Sequence, residues 1–155
     1  MSIENLESKE NIEINWVRPD IRDEGGEIER TAHTFVASEA EYPAKLREVI
    51  DSISTAEFEE LTQEMWAQLE NTESWEQVRP GHIEDAQKFA EEYKRDWQSL
   101  LQAMKEGSPI KAPIIIVNPD GIPYLVSGNT RLMLSRALEV RVRALIARMG
   151  RAEKE

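Results

Sequence analysis

Cysteine is absent from the 155 residues. That excludes a disulfide scaffold, a thiol nucleophile and any Cys-ligated zinc or iron–sulfur centre. Histidine is scarce: His33 and His82 stand far apart, in no ligand-spaced motif, which argues against a His-rich metal centre. Long apolar runs are missing. The longest, Ile114-Ile115-Ile116-Val117, falls far short of the ~20 residues that span a bilayer. The opening Met1-Ser2-Ile3-Glu4-Asn5 shows neither a basic nor an apolar leader region, so the expected location is cytoplasmic, with no membrane partner. Basic residues are outnumbered, Lys+Arg 19 against Asp+Glu 30, a net charge of −11. Such a balance disfavours non-specific binding to nucleic acid, which needs Lys and Arg against phosphates.

What is present is unevenly spread. Residues 111–155 carry eight basic and four acidic residues, net +4, which leaves −15 on residues 1–110. Two readings stand: the basic third neutralises the acidic half within one fold, or it serves an anion site. The length suits a single domain over 1–155. We expect a flexible tail over 1–11, a strand, long loop and acidic helices over 12–96, a core over 97–148, and a charged tail over 149–155.

Ile12-Glu13-Ile14-Asn15-Trp16-Val17 alternates as a short strand. Arg18 to Ser38, charged and holding Gly25-Gly26, reads as a long loop with a short strand at Thr34-Phe35-Val36. Pro43 suits a first helical turn, followed by Leu46, Val49, Ile50 and Ile53 at helical spacing. Ser54-Thr55-Ala56-Glu57 matches a capping box, before a stripe of Phe58, Leu61, Met65 and Leu69. Asn71 to Gly81 reads as a connector. One long helix is predicted over Ile83–Glu106, with apolar positions at steps of 3-4-3-4-3-4 and exposed Glu84/Lys88 and Glu91/Arg95 pairs. Its face packs on a core or forms a coiled-coil seam, and Ala at two core positions favours the core.

Gly107-Ser108-Pro109 stops that helix. Ile114–Val117 reads as a buried strand, Asn118-Pro119-Asp120-Gly121 as a turn, and Tyr124–Ser127 as an antiparallel partner strand. Asn129–Leu138 is a short helix, with Leu134, Ala137 and Leu138 on one side and Arg131, Ser135 and Glu139 on the other. Val140–Ala147 closes a sheet. The fold class is mixed α+β, a small mixed sheet from the C-terminal third packed against several N-terminal helices.

One stretch carries chemistry: Ser127-Gly128-Asn129-Thr130-Arg131, where a strand meets a helix at a glycine. The first N–H groups of a helix lack acceptors and sit at its positive end, Gly128 allows close approach, Thr130 adds a hydroxyl, and Arg131 can fork onto oxyanions. The alternative is that Ser127 or Asn129 is an ordinary N-cap and Arg131 pairs with a carboxylate. Trp66 and Trp75 read as core packing, with stacking on a nucleotide base as the other option.

Trp97 to Arg148, about a third of the chain, resembles the ParB/sulfiredoxin superfamily core. Its pieces are Leu100–Gly107, Pro113–Val117, Asp120-Gly121, Tyr124–Arg131 with a Gly-x-x-Arg box, and Ala137, Leu138 and Val140. The Gly-Asn-Thr-Arg version resembles small bacteriophage proteins, which would place the chain in a bacterial or phage-infected cell. The resemblance implies a nucleotide site for ATP or CTP with Mg²⁺, phosphates held by Ser127, Gly128, Asn129, Thr130 and Arg131, with Gly107 beside them. It implies a nucleotide-dependent phosphotransferase or NTP hydrolase. Sulfiredoxin chemistry is excluded, since Asn129 stands in place of its cysteine. Asn129 and Thr130 also replace the Glu-Arg pair of partition-type members, and no basic helix-turn-helix follows. Glu139 occupies a helix end where the family often has Gly, an unfavourable place for a left-handed backbone. The alternatives are a non-catalytic acidic protein docking on a basic, nucleic-acid-binding partner, and direct DNA binding or a nuclease through Arg141, Arg143, Arg148 and Arg151.

Overall fold

The computed structural model describes residues 12–150; the expected tail over 1–11 and residues 151–155 lie outside the described residues. The order is β1 (Asn15–Val17), a 3₁₀ turn (Ile21–Glu24), α1 (Gly25–Thr34), α2 (Tyr42–Ser54), β2 (Glu57–Glu60), α3 (Gln63–Gln68) and α4 (Ser74–Gln77). Then come α5 (Ile83–Glu92), α6 (Trp97–Glu106), β3 (Pro109–Lys111), β4 (Ile114–Val117), β5 (Pro123–Ser127), α7 (Asn129–Leu138) and β6 (Arg143–Arg148). The fold is α+β, as the sequence predicts. No described helix is long and apolar enough to cross a membrane.

The main sheet runs β2-β6-β4-β5. β4 pairs antiparallel with β5 and parallel with β6, and β2 joins β6 antiparallel at the edge. All four residues of β4 are buried, because both faces of the sheet are covered. On one face Ile114, Ile116 and Leu145 meet Ile28 and Ala32 of α1 and Val49 and Ile53 of α2. On the other, Ile115, Leu125 and Ile146 meet Leu132 of α7, Trp66 of α3 and Leu69. A third cluster joins the outer side of α7 (Met133, Leu134, Ala137) to Ala86, Met104 and Val78. Each fully buried Ile or Leu contributes about 1.5–3 kcal/mol.

In the C-terminal third β4, β5, α7 and β6 form where the sequence reading puts a strand, a strand, a helix and a closing strand; the N-terminal half departs from it. The long loop at Arg18–Ser38 is instead a 3₁₀ turn and α1, whose Ile28, Thr31 and Ala32 face the core. Its last residue, Thr34, is helical, so no strand forms at Thr34–Val36. The capping box at Ser54–Glu57 is not formed. Thr55 ends α2, and Glu57–Glu60 becomes an edge strand because β6 offers it a ladder; the N-cap is Thr62, whose hydroxyl accepts from Met65 N at 3.1 Å. The carbonyls at the end of α2 are taken by Arg18, which donates to Ile53, Ser54 and Ala56. The connector at Asn71–Gly81 holds the single turn α4. Strand β3, absent from the sequence reading, pairs parallel with β1.

The long helix Ile83–Glu106 is two helices broken over Tyr93–Asp96. Neither exposed pair forms: Glu84 bonds His82, Glu91 accepts from Gln87, and Arg95 has left the helix. The face of α5 and α6 packs within this chain on α7, as the core reading predicts. Ser135 is fully buried rather than on a polar face, and Met149 is buried, its N–H bonded to Val117 O, rather than starting a charged tail.

Helices α5, α6 and α7 all end in the same motif. A left-handed residue follows, directly after α6 and α7 and one residue later, beyond Tyr93, after α5; its N–H and the next one turn back to the last carbonyls. Gly107 suits that position at the end of α6 (φ +81°), but Lys94 (φ +57°) and Glu139 (φ +60°) pay a steric penalty there. Glu139→Gly is expected to leave the fold intact and raise unfolding stability by about 1 kcal/mol, read by urea denaturation; a loss would show that the Glu139 side chain makes a compensating contact.

Candidate phosphate-binding site

Strand β5 ends at Ser127, and Gly128 turns the chain into α7 with φ +111°. A Cβ on Gly128 would lie 2.8 Å from Pro113 Cβ and 2.9 Å from Pro113 Cα. The glycine is therefore required by the strand β4 entry that presses on it, in addition to its left-handed backbone. Neither Ser127 nor Asn129 caps α7: the N-cap is Gly128, and no side chain bonds the helix start. Leu132 N–H closes the first turn on Gly128 O at 2.9 Å. The N–H groups of Asn129, Thr130 and Arg131 precede that bond and have no intrahelical acceptor.

Two adjoining cavities, about 370 and 460 Å³, open over this helix start and share Asn71, Arg95, Asn129 and Thr130. The first is completed by Ser127, Gly128, Arg131, Glu24, Glu27 and Arg30; the second by Phe89, Tyr93 and Met133 on its apolar side. Ser127 is 7% exposed and lines the first cavity, yet its hydroxyl has no hydrogen-bond partner. A buried hydroxyl without a partner costs about 1–3 kcal/mol. Ser127 directly precedes the glycine that turns the chain into these three N–H groups.

A polar chain sets the orientation of Asn129. Trp66 Nε1 donates to Ser74 Oγ at 2.8 Å, the Ser74 and Thr72 hydroxyls bond at 2.9 Å, and Thr72 Oγ1 donates to Asn129 Oδ1. With its carbonyl oxygen used, Asn129 keeps Nδ2 as a donor at the cavity wall. Thr72 reaches α7 because residues 69–71 lie along the outer edge of β5. Glu70 exchanges two backbone bonds with Pro123 and Leu125, and Asn71 Nδ2 donates to Leu125 O at 2.8 Å.

Arg131 Nη1 donates to Lys111 O at 2.6 Å and to Ala112 O at 3.4 Å. Burial holds its guanidinium below the ordinary arginine range, while Glu24 and Glu27 draw it back up. It pairs with no carboxylate among the described residues, and Nε and Nη2 remain for a ligand. Ser127, Gly128, Asn129, Thr130 and Arg131 thus come together at one cavity. Gly107 does not: it caps α6, accepts from Asn15, and lines neither cavity.

Trp66 is buried with its N–H used, and Trp75 lies under the Arg136 guanidinium at 3.7 Å, so both pack rather than stack on a ligand. The aromatic rings at the cavity are Phe89 and Tyr93, the latter 59% exposed. Sequence reasoning missed these, and Asn71, Thr72 and Arg95, since nothing in their spacing ties them to residue 128. Of the four arginines named for DNA contact, Arg148 pairs with Glu59, Arg143 lies over Phe58, Arg141 gives its carbonyl to Trp16, and Arg151 lies outside the described residues.

Among the described residues no group of three or more His, Asp or Glu is placed to hold a metal ion. Glu24 and Glu27 fit the lesser demand of Mg²⁺ arriving with phosphates, which takes one or two carboxylates. No family model, curated protein or solved structure matches this chain.

Gly128→Ala is expected to destabilise the fold by more than about 2 kcal/mol, because it adds backbone strain to a contact with Pro113 that cannot relax. The hydroxyl of Ser135, fully buried and likewise without a partner, sits inside α7 away from both cavities. Ser135→Ala is expected to raise stability by about 1 kcal/mol. Thermal or urea unfolding of both variants checks the pair.

Proposed function

We propose that this protein binds a nucleotide through its phosphates at the start of α7. The observation that carries the reading is the orphan Ser127 hydroxyl beside the free N–H groups of Asn129, Thr130 and Arg131. An oxyanion there satisfies all four at once, and the helix dipole adds about 0.3–1 kcal/mol or more in a sheltered site. Asn129 Nδ2, Thr130 Oγ1 and the unused Arg131 nitrogens add donors around the same point. The adjoining cavity, with Phe89 and Tyr93 on its wall, has the size and mixed polarity for a base and sugar.

The resemblance of the Gly-Asn-Thr-Arg box to the ParB/sulfiredoxin box supports the same ligand, ATP or CTP. Mg²⁺ bound with the phosphates would be held by Glu24 and Glu27, and would neutralise charge on the phosphate oxygens. The reaction this supports is phosphoryl transfer or NTP hydrolysis, which proceeds by positioning and charge stabilisation rather than by a covalent intermediate.

The test is calorimetric titration with ATP, CTP and GTP, with and without Mg²⁺, on the parent protein, Arg131→Ala and Ser127→Ala. Ser127→Ala is expected to fold at least as stably as the parent, since it removes an unsatisfied group, and to bind about ten- to a hundredfold more weakly, the worth of one hydrogen bond to a charged oxygen. Arg131→Ala is expected to lose both binding and stability, since it also frees the carbonyls of Lys111 and Ala112. Failure of all three nucleotides to bind the parent protein would sink the reading and leave the −15 of residues 1–110 as a docking surface for a basic partner.

A further inference from the structure

The break between α5 and α6 interrupts an apolar pattern that runs without fault from Ile83 to Met104. It is also strained. Lys94 sits at φ +57°, where a side chain costs about 1 kcal/mol, while the neighbouring helix end at Gly107 meets the same geometry with glycine. Arg95 N–H turns back to Ala90 O at 2.7 Å, and Asp96 then caps α6 by accepting from Ser99 N. The result is local and specific: Arg95 is carried out of the helix to the shared wall of both cavities, which Asn129 and Thr130 also line.

The cations around the cavities differ in what holds them. Arg30 pairs with Glu27, Lys111 pairs with Asp23 at 2.8 Å, and Arg131 is tied to two backbone carbonyls. The Arg95 side chain has no hydrogen bond or carboxylate partner among the described residues, although the chain has 30 acidic residues. This unpartnered guanidinium lies on the wall of a cavity that is also lined by Ser127 and by Asn129, Thr130 and Arg131 at the start of α7.

We propose that Arg95 is a ligand-binding arginine that closes over phosphates held at the start of α7, and that the break at Lys94 carries it there. This rests on the phosphate reading above. When phosphates enter, Arg95 forks onto their outer oxygens while the α7 N–H groups hold the inner ones. Arg131 then supports the site from beneath, through its carbonyl bonds, and Arg95 supplies the exposed countercharge. Tyr93, two residues before it on the same break, is carried to the second cavity by the same turn.

The experiment titrates ATP, CTP and GTP into the parent protein, Arg95→Ala and Arg95→Lys at two salt concentrations, with thermal unfolding of each. Arg95→Ala is expected to weaken binding at least tenfold, to flatten its salt dependence, and to leave the melting temperature unchanged because the side chain makes no hydrogen bond or ion pair among the described residues. Arg95→Lys, which keeps the charge and loses the fork, should fall between. A parent protein that binds a nucleotide with Arg95→Ala within twofold of it overturns this assignment alone. A parent protein that binds none of the three overturns the phosphate reading and this inference with it.

Discussion

The entry of strand β4 presses on the exit of strand β5 at one point, Pro113 against Gly128, with no room for a methyl group. Much of the site depends on that contact. It forces a left-handed residue at the head of α7, so the position that would otherwise carry a capping Ser, Thr, Asp or Asn must be glycine. The first N–H groups of α7 are then left without a partner from their own chain. Leu132, one turn on, is fully buried against the sheet, so the helix cannot tilt away to find water more freely. A packing demand in the core thereby produces an electropositive, unsatisfied surface at the cavity.

Around it the protein accepts two costs of a kind it also carries at Ser135 and Glu139. Ser127 keeps a hydroxyl buried and unbonded, and Lys94 keeps a left-handed backbone where Gly107, thirteen residues on, shows the cheaper solution. By contrast Trp66, Ser74 and Thr72 form an unbroken chain that ends on Asn129. Partnered polar groups next to unsatisfied ones would preorganise the proposed phosphate site, since a ligand that finds donors already aimed loses little in ordering them.

The parts legible in the sequence were those set by short-range physics. An all-apolar Ile-Ile-Ile-Val run, an Asn-Pro-Asp-Gly turn and a strand-glycine-helix junction each declare themselves within ten residues, and the C-terminal sheet and α7 follow. The rest was decided by distant partners. Glu57-Phe58-Glu59-Glu60 has helical composition and becomes a strand because Arg143–Ile146 pairs with it. Helix α1 begins at Gly25-Gly26, a breaker signal overridden by the burial of Ile28 and Ala32. The break at Lys94 is silent in the pattern, because the apolar face resumes in phase beyond it. The same limit explains the site: Ser127 to Arg131 could be read as a unit, whereas Asn71, Thr72 and Arg95 join it only through the bridge at Glu70 and that silent break.

Strand pairing also fixes the order in which the chain can assemble as it is made. Asn15 reaches Gly107 across 92 residues, and Arg148 reaches Glu59 across 89. Neither β1 nor β2 has a strand to join until most of the chain has left the ribosome, so both wait as open edges during synthesis. The wait is long on the scale of loop closure, and a polypeptide of this length with an apolar edge would invite pairing between nascent chains. β2 waits with Glu57, Glu59 and Glu60 along it, like charges that repel a second copy of the same segment and that β6 alone, bringing Arg143 and Arg148, can neutralise. The acidity that makes this strand hard to recognise in the sequence is thus what keeps it available for its own partner.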